Sequence, residues 1–122
     1  MAQCDIETIT EHALIAWLWS ETDYETGQPL DDNYSIEDIA PETLAQWRED
    51  VEQFVTIARA ALRVSKLSDE QIGHDFTLTR NGHGTGFWDR GLGFTGQALT
   101  EHAKSFGDCA AYVSDDGLIR AM

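Results

Sequence analysis

The chain has 122 residues, a length suited to one domain with a core of its own. Its 42% hydrophobic and 10% aromatic content exclude wholesale disorder, and no apolar run approaches the roughly 20 residues of a membrane span. A net charge of −14 argues against direct contact with nucleic acid or anionic lipid and for basic partners. That charge is unevenly spread. Residues 1–56 hold 14 acids against one base, Arg48, whereas residues 57–122 hold eight acids against seven bases. The start "MAQCDIETIT" lacks the basic and apolar regions of a signal peptide. Cys4 and Cys109 are too few and too far apart for a disulfide framework or a zinc ribbon, so two reduced thiols are expected.

Residues 6–20, "IETITEHALIAWLWS", predict a helix. Ile6, Ile9, Ala13, Ala16 and Trp17 follow the three-and-four spacing of one face, and Asp5 is placed to cap it. Leu14, Ile15, Leu18 and Trp19 widen the apolar surface, so this helix is either largely buried or shows a tryptophan to a partner. Residues 21–35, with Gly27 and Pro29, read as a loop. "SIED" from Ser35 has the form of a capping box, and Pro41 suits the first position of a helix. Residues 42–65 predict one continuous helix with Trp47, Val51, Phe54, Ala58 and Leu62 facing the core. "SDEQ" at 68–71 predicts a further helical turn ending before Gly73.

From residue 74 the period changes. "DFTLTR" alternates as a half-buried strand does, Asn81-Gly82 is a hairpin-turn signal, and "GFWD" supplies a return strand. "GLGFTGQALTEHAKSF" regains helical spacing through Leu99, Ala103 and Phe106. "CAAYV" and "LIRAM" read as strands about the turn "DDG". The predicted fold is α+β within one domain, residues 1–122. An acidic helical N-terminal half packs with a small antiparallel sheet of three to four strands and one further helix.

The glycine-rich stretch fits no phosphate or dinucleotide motif, since neither a Lys-Ser/Thr pair nor a strand–turn–helix unit accompanies it. His74, Asp75, His83, Asp89 and Arg90 form a candidate acid–base set for a small hydrolase or ligand-binding protein. Their spacing matches no metal signature, and neither a metal nor a cofactor is expected. The plainer reading makes the segment structural, with Trp88 buried and Asp89 and Arg90 holding a connection.

The run "GHDFTLTRNGHGTGFWDRGLG", followed by "LTEHAKSFGDCAAYVSDDGLI", resembles the C-terminal segment of a set of small proteins encoded by bacteriophages and prophages. The resemblance covers about 50 residues, from Gly73 onward, and carries no catalytic residue with it. It implies a phage protein acting in the bacterial host cytoplasm. The set has no established activity; because small acidic phage proteins often look like decoys for nucleic-acid-binding defence machinery, an anti-CRISPR or anti-restriction role is inferred for the acidic half. The leading expectation is therefore an inhibitor, not an enzyme. It would bind a basic nucleic-acid-binding surface of a defence complex, such as a CRISPR effector or a restriction subunit. The expected contacts are Asp23, Glu25, Asp31, Asp32, Glu37 and Asp38, with Glu49, Asp50 and Glu52 behind them and Tyr24, Tyr34 or Trp19 as aromatic anchors. A third reading is an accessory protein that pairs with itself through the tryptophan-rich first helix.

Overall fold

The computed structural model describes residues 4–82 and 86–122. The class is α+β: among the described residues there are five α-helices and two separate two-stranded antiparallel sheets. Helix α1 spans Ile6–Ser20, and the Asp5 side chain accepts the Glu7 amide, as its sequence predicts. The next segment turns back on α1 as a short ribbon, β1 (Thr22–Asp23) against β2 (Gln28–Pro29). Two 3-10 turns follow, Leu30–Asp32 and Ile36–Asp38. The second is closed by the Asp38 carboxylate, which accepts the Ser35 amide at 2.9 Å.

The long central helix is broken once. Helix α2 runs Pro41–Ile57 and α3 runs Arg59–Ser65, with Ala58 between them at φ −104°, ψ 12°. The hydrogen-bond ladder survives on either side, from Ala58 N to Phe54 O and from Leu62 N to Ala58 O, both 2.9 Å. The bend redirects α3 onto α5 (Phe94–Lys104) while Trp47, Val51, Phe54, Ala58 and Leu62 all stay buried.

The segment expected to open the sheet is instead helix α4, Asp69–Arg80. It starts with the Ser68–Gln71 capping box but runs on through Gly73 to Arg80. The alternation of Phe76 and Leu78 with Thr77 and Thr79 misleads because both sets are buried. The threonines face inward by hydrogen bonding: Thr77 donates to Ala13 O of α1 at 2.7 Å, and Thr79 Oγ1 accepts from Phe87 N at 3.2 Å. Asn81-Gly82 closes this helix rather than a hairpin, with Gly82 at φ +72°. The expected return strand is a 3-10 turn, Phe87–Arg90. Among the described residues, the sheet contribution of this half is a single ribbon, β3 (Ala111–Val113) paired with β4 (Ile119–Ala121).

Helix α1 packs chiefly on α4. A Cβ on Gly73 would lie 2.3 Å from Ile9 O and 2.8 Å from Ala13 N. Beneath the crossing sits an aromatic core. Trp17 and Trp47 have ring centroids 5.1 Å apart, and Phe54 lies 4.7 Å from Phe76 and 5.6 Å from Phe87. Arg80 is buried among these rings, its guanidinium 4.8 Å from the Trp47 centroid. It donates to Gly107 O and Phe106 O and pairs with Asp50 at 3.1 Å. The C-terminal ribbon is tied in from both sides. Trp17 Nε1 donates to Cys109 O at 2.7 Å, and Ala40 N donates to Ile119 O at 2.9 Å.

Gly73→Ala should therefore destabilise the fold by about 1–3 kcal/mol, although alanine is the better helix former. The obstructing atoms are backbone, which cannot swing aside. Chemical denaturation of the purified variant checks this; an unchanged or raised midpoint would mean that α1 and α4 do not meet at this residue.

Candidate functional site

One broad groove lies between α1 and the segment that folds back along it. Its volume is about 910 Å³. One wall is α1, from which Glu7, Thr10, Glu11, Leu14, Ile15 and Leu18 contribute at helical spacing. Those positions cover three turns, about 16 Å of helix. The other wall comes from the second 3-10 turn and the start of α2. Leu30, fully buried and donating its amide to Glu21 O at 2.9 Å, brings this segment back against α1.

The groove is apolar inside and acidic at its edge. Leu14 and Leu18 are buried at its base, Tyr34, Ile36 and Leu44 are half-buried, and Ile15 is 43% exposed. Glu7, Glu11, Asp31 and Glu37 rim it, against one base. That base, Arg48, reaches across from α2 to Glu7 at 2.6 Å and also faces Glu52 at 3.9 Å. Its hydrogen bond to Glu7 holds the guanidinium charged more firmly than usual. Thr10 is 7% exposed on the α1 wall, and its hydroxyl has no hydrogen-bond partner among the described residues.

The acids expected to meet a partner fall into two groups. Glu25, Asp31, Asp32, Glu37 and Glu49 are exposed, and Asp31 and Glu37 line the groove. Glu52 is exposed as well, and the other three serve the fold. Asp23 is buried and accepts the Glu25 amide at 3.0 Å; Asp38 caps its 3-10 turn; Asp50 pairs with buried Arg80; Glu52 faces Arg48. Tyr24 and Trp19 are exposed, whereas Tyr34 is a groove residue. Sequence reasoning missed Glu7, Glu11, Ile15, Ile36 and Leu44. The wide apolar stripe of α1 signalled a second contact surface, but not the returning wall that makes it a groove.

The 74–90 segment has structural work. Asp75 is fully buried and receives two hydrogen bonds from Arg90, from Nε and, at 3.0 Å, from Nη2. This pair pins the 3-10 turn Phe87–Arg90 to α4, and hydrogen bonding to Asp75 keeps the Arg90 guanidinium strongly charged against the opposing effect of burial. Gly86 lets the turn approach, since a Cβ there would meet Thr79 Oγ1 at 2.0 Å. His74, Asp89 and Arg90 share a hollow of about 140 Å³. His74 sits within α4 with its ring centroid 6.0 Å from that of Trp19. His83 lies outside the described residues. Trp88, expected to be buried, is 56% exposed. Burial pushes both cysteine thiols above their ordinary pKa, which leaves them poor nucleophiles.

Among the described residues no three His, Cys, Asp or Glu side chains converge as a metal site requires, and no helix is long and apolar enough to cross a membrane. The chain matches no family model, no curated protein and no solved structure.

Arg90→Ala should cost about 2–4 kcal/mol, because it strands the buried Asp75 carboxylate. Adding Asp75→Asn should recover part of that loss, since a neutral amide is cheaper to bury than an unpaired charge. A thermodynamic cycle over the two single variants and the double variant measures the coupling; strictly additive effects would show that the pair does not hold the turn.

Proposed function

We propose that this protein is an acidic inhibitor that binds a basic, nucleic-acid-binding surface of a bacterial defence complex in the host cytoplasm. A CRISPR effector or a restriction subunit is the kind of target meant. The observation that carries this reading is the exposed carboxylate set Glu25, Asp31, Asp32, Glu37 and Glu49, none of which has an ion-pair partner among the described residues. Such acids repel one another, and the repulsion is relieved when a cationic surface arrives. A protein groove that binds nucleic acid is such a surface, and carboxylates held against it compete with phosphate. The choice of a defence complex rests on the resemblance of the segment from Gly73 onward to phage-encoded proteins.

The hydrolase reading has less support. Its carboxylate Asp75 is committed to Arg90. The hollow at His74, about 140 Å³, is well below the roughly 300 Å³ at which ligand pockets begin.

Asp31→Lys, Asp32→Lys and Glu37→Lys together should abolish inhibition while the chain stays folded, because all three side chains are exposed. Asp38 is left alone, since it caps its turn. The test is the plating efficiency of a targeted phage on bacteria that carry a defined CRISPR or restriction system and express either form. Wild type should raise plating against at least one system and the triple variant should not. With purified components, binding should weaken steeply between low and physiological salt, where charges are screened over about 8 Å. No rise in plating with any system, or full inhibition by the triple variant, would sink the proposal.

A further inference from the structure

Charge alone asks only for exposed acids, yet this chain sets some of them around an apolar groove. We propose that the groove is the docking site for a basic amphipathic α-helix of the partner protein. Its apolar stripe would lie on Ile15, Leu18, Tyr34, Ile36 and Leu44, with its Lys or Arg side chains against Glu7, Glu11, Asp31 and Glu37. This rests on the reading above that the partner is basic, and it adds the form in which the partner is recognised.

The dimensions fit a helix. The α1 wall is three turns long, about 16 Å, and half of a helix about 10 Å across displaces roughly 650 Å³ over that length. The groove offers about 910 Å³. A strand is a poorer occupant. The long wall is an α-helix whose backbone groups are bonded within it, so an added strand finds no ladder to extend. The rim selects by sign. Four acids against one base turn away phosphate and anionic lipid and meet a helix with a basic face. A second copy of this chain would bring the same rim and a further net charge of −14 against it.

One contact at the rim shows the chemistry it can hold. Arg48 already donates to Glu7 from Nε at 2.7 Å, so the rim holds a guanidinium in this fold, supplied by the chain itself. A partner arginine would repeat that contact at Glu11, Asp31 or Glu37.

The test uses the full-length protein and two fluorescently labelled peptides of about 18 residues, both made of Leu, Lys and Ala in the same proportions. One places leucine at i, i+3, i+4 and i+7, and the other scatters it around the helix. The patterned peptide should bind at least tenfold more tightly than the scattered one at physiological salt. Ile15→Ser with Ile36→Ser should erase that preference and leave the scattered peptide unaffected. Arg48→Ala should tighten the patterned peptide severalfold by removing the one like charge. If the double serine variant does not fold, the wild-type comparison decides by itself. Equal, salt-sensitive binding of both peptides would overturn the groove and leave the charge reading standing. Binding of neither at low salt would overturn both. A dimer in sedimentation analysis that the serine variant dissolves would assign the groove to a second copy and overturn the proposal.

Discussion

At Gly73 the backbones of α1 and α4 come so close that one added carbon atom would overlap Ile9 O. Glycine in a helix costs about 1 kcal/mol against alanine, so the sequence accepts a weaker helix in order to bring two helices together. Thr77 completes the contact one turn later by donating to Ala13 O. With α1 held this tightly, Trp17 is driven onto Trp47, and the aromatic core gathers beneath the crossing. The other side of α1 is left free for the returning segment, and the groove forms there. A looser crossing would tilt α1 and change both the core and the groove wall together.

Burial separates the acids more sharply than position in the chain does. Asp50 and Asp75 each hold an arginine where water is scarce, and removal of the arginine leaves a largely buried carboxylate unpaired. Asp23 and Asp38 accept backbone amides in turns. These four side chains build the fold. Asp31, Asp32 and Glu37 have no such duty, which makes them available to a partner. Mutation of the acidic half as a block would therefore mix two effects, loss of folding and loss of binding.

Much of the fold was legible in the sequence. The extent of α1, the existence of α5, the Ser68 capping box, Pro41 at a helix start and the C-terminal ribbon all follow from local rules that tertiary packing left undisturbed. The 75–80 segment was misread for a physical reason. Periodicity reports a structure only when one face meets solvent, and α4 is enclosed from Asp75 to Arg80. Two threonines then tipped the reading toward a strand. Their hydroxyls bond to Ala13 O and Phe87 N, long-range contacts that no local window contains. The same limit hid the site. Asp31 and Glu37 could be picked by charge, but Glu7, Glu11 and Ile15 became part of the site only when the 21–38 segment folded back onto α1.

Placing an apolar groove inside an acidic rim has a consequence for how a complex would form and persist. Exposed charge acts at range and mainly sets the rate of encounter, whereas buried apolar contact acts at touching distance and mainly sets how long the complex lasts. In this chain the two occupy one surface: Ile15, Ile36 and Leu44 line the same groove as Glu7, Glu11, Asp31 and Glu37. A partner drawn in by the rim would arrive over the apolar floor without having to search for it. Arg48 sits at the junction of the two, bound to Glu7 in the free protein. An incoming cation must compete with it for that carboxylate, so Arg48 raises the requirement for apolar contact in any partner that stays bound.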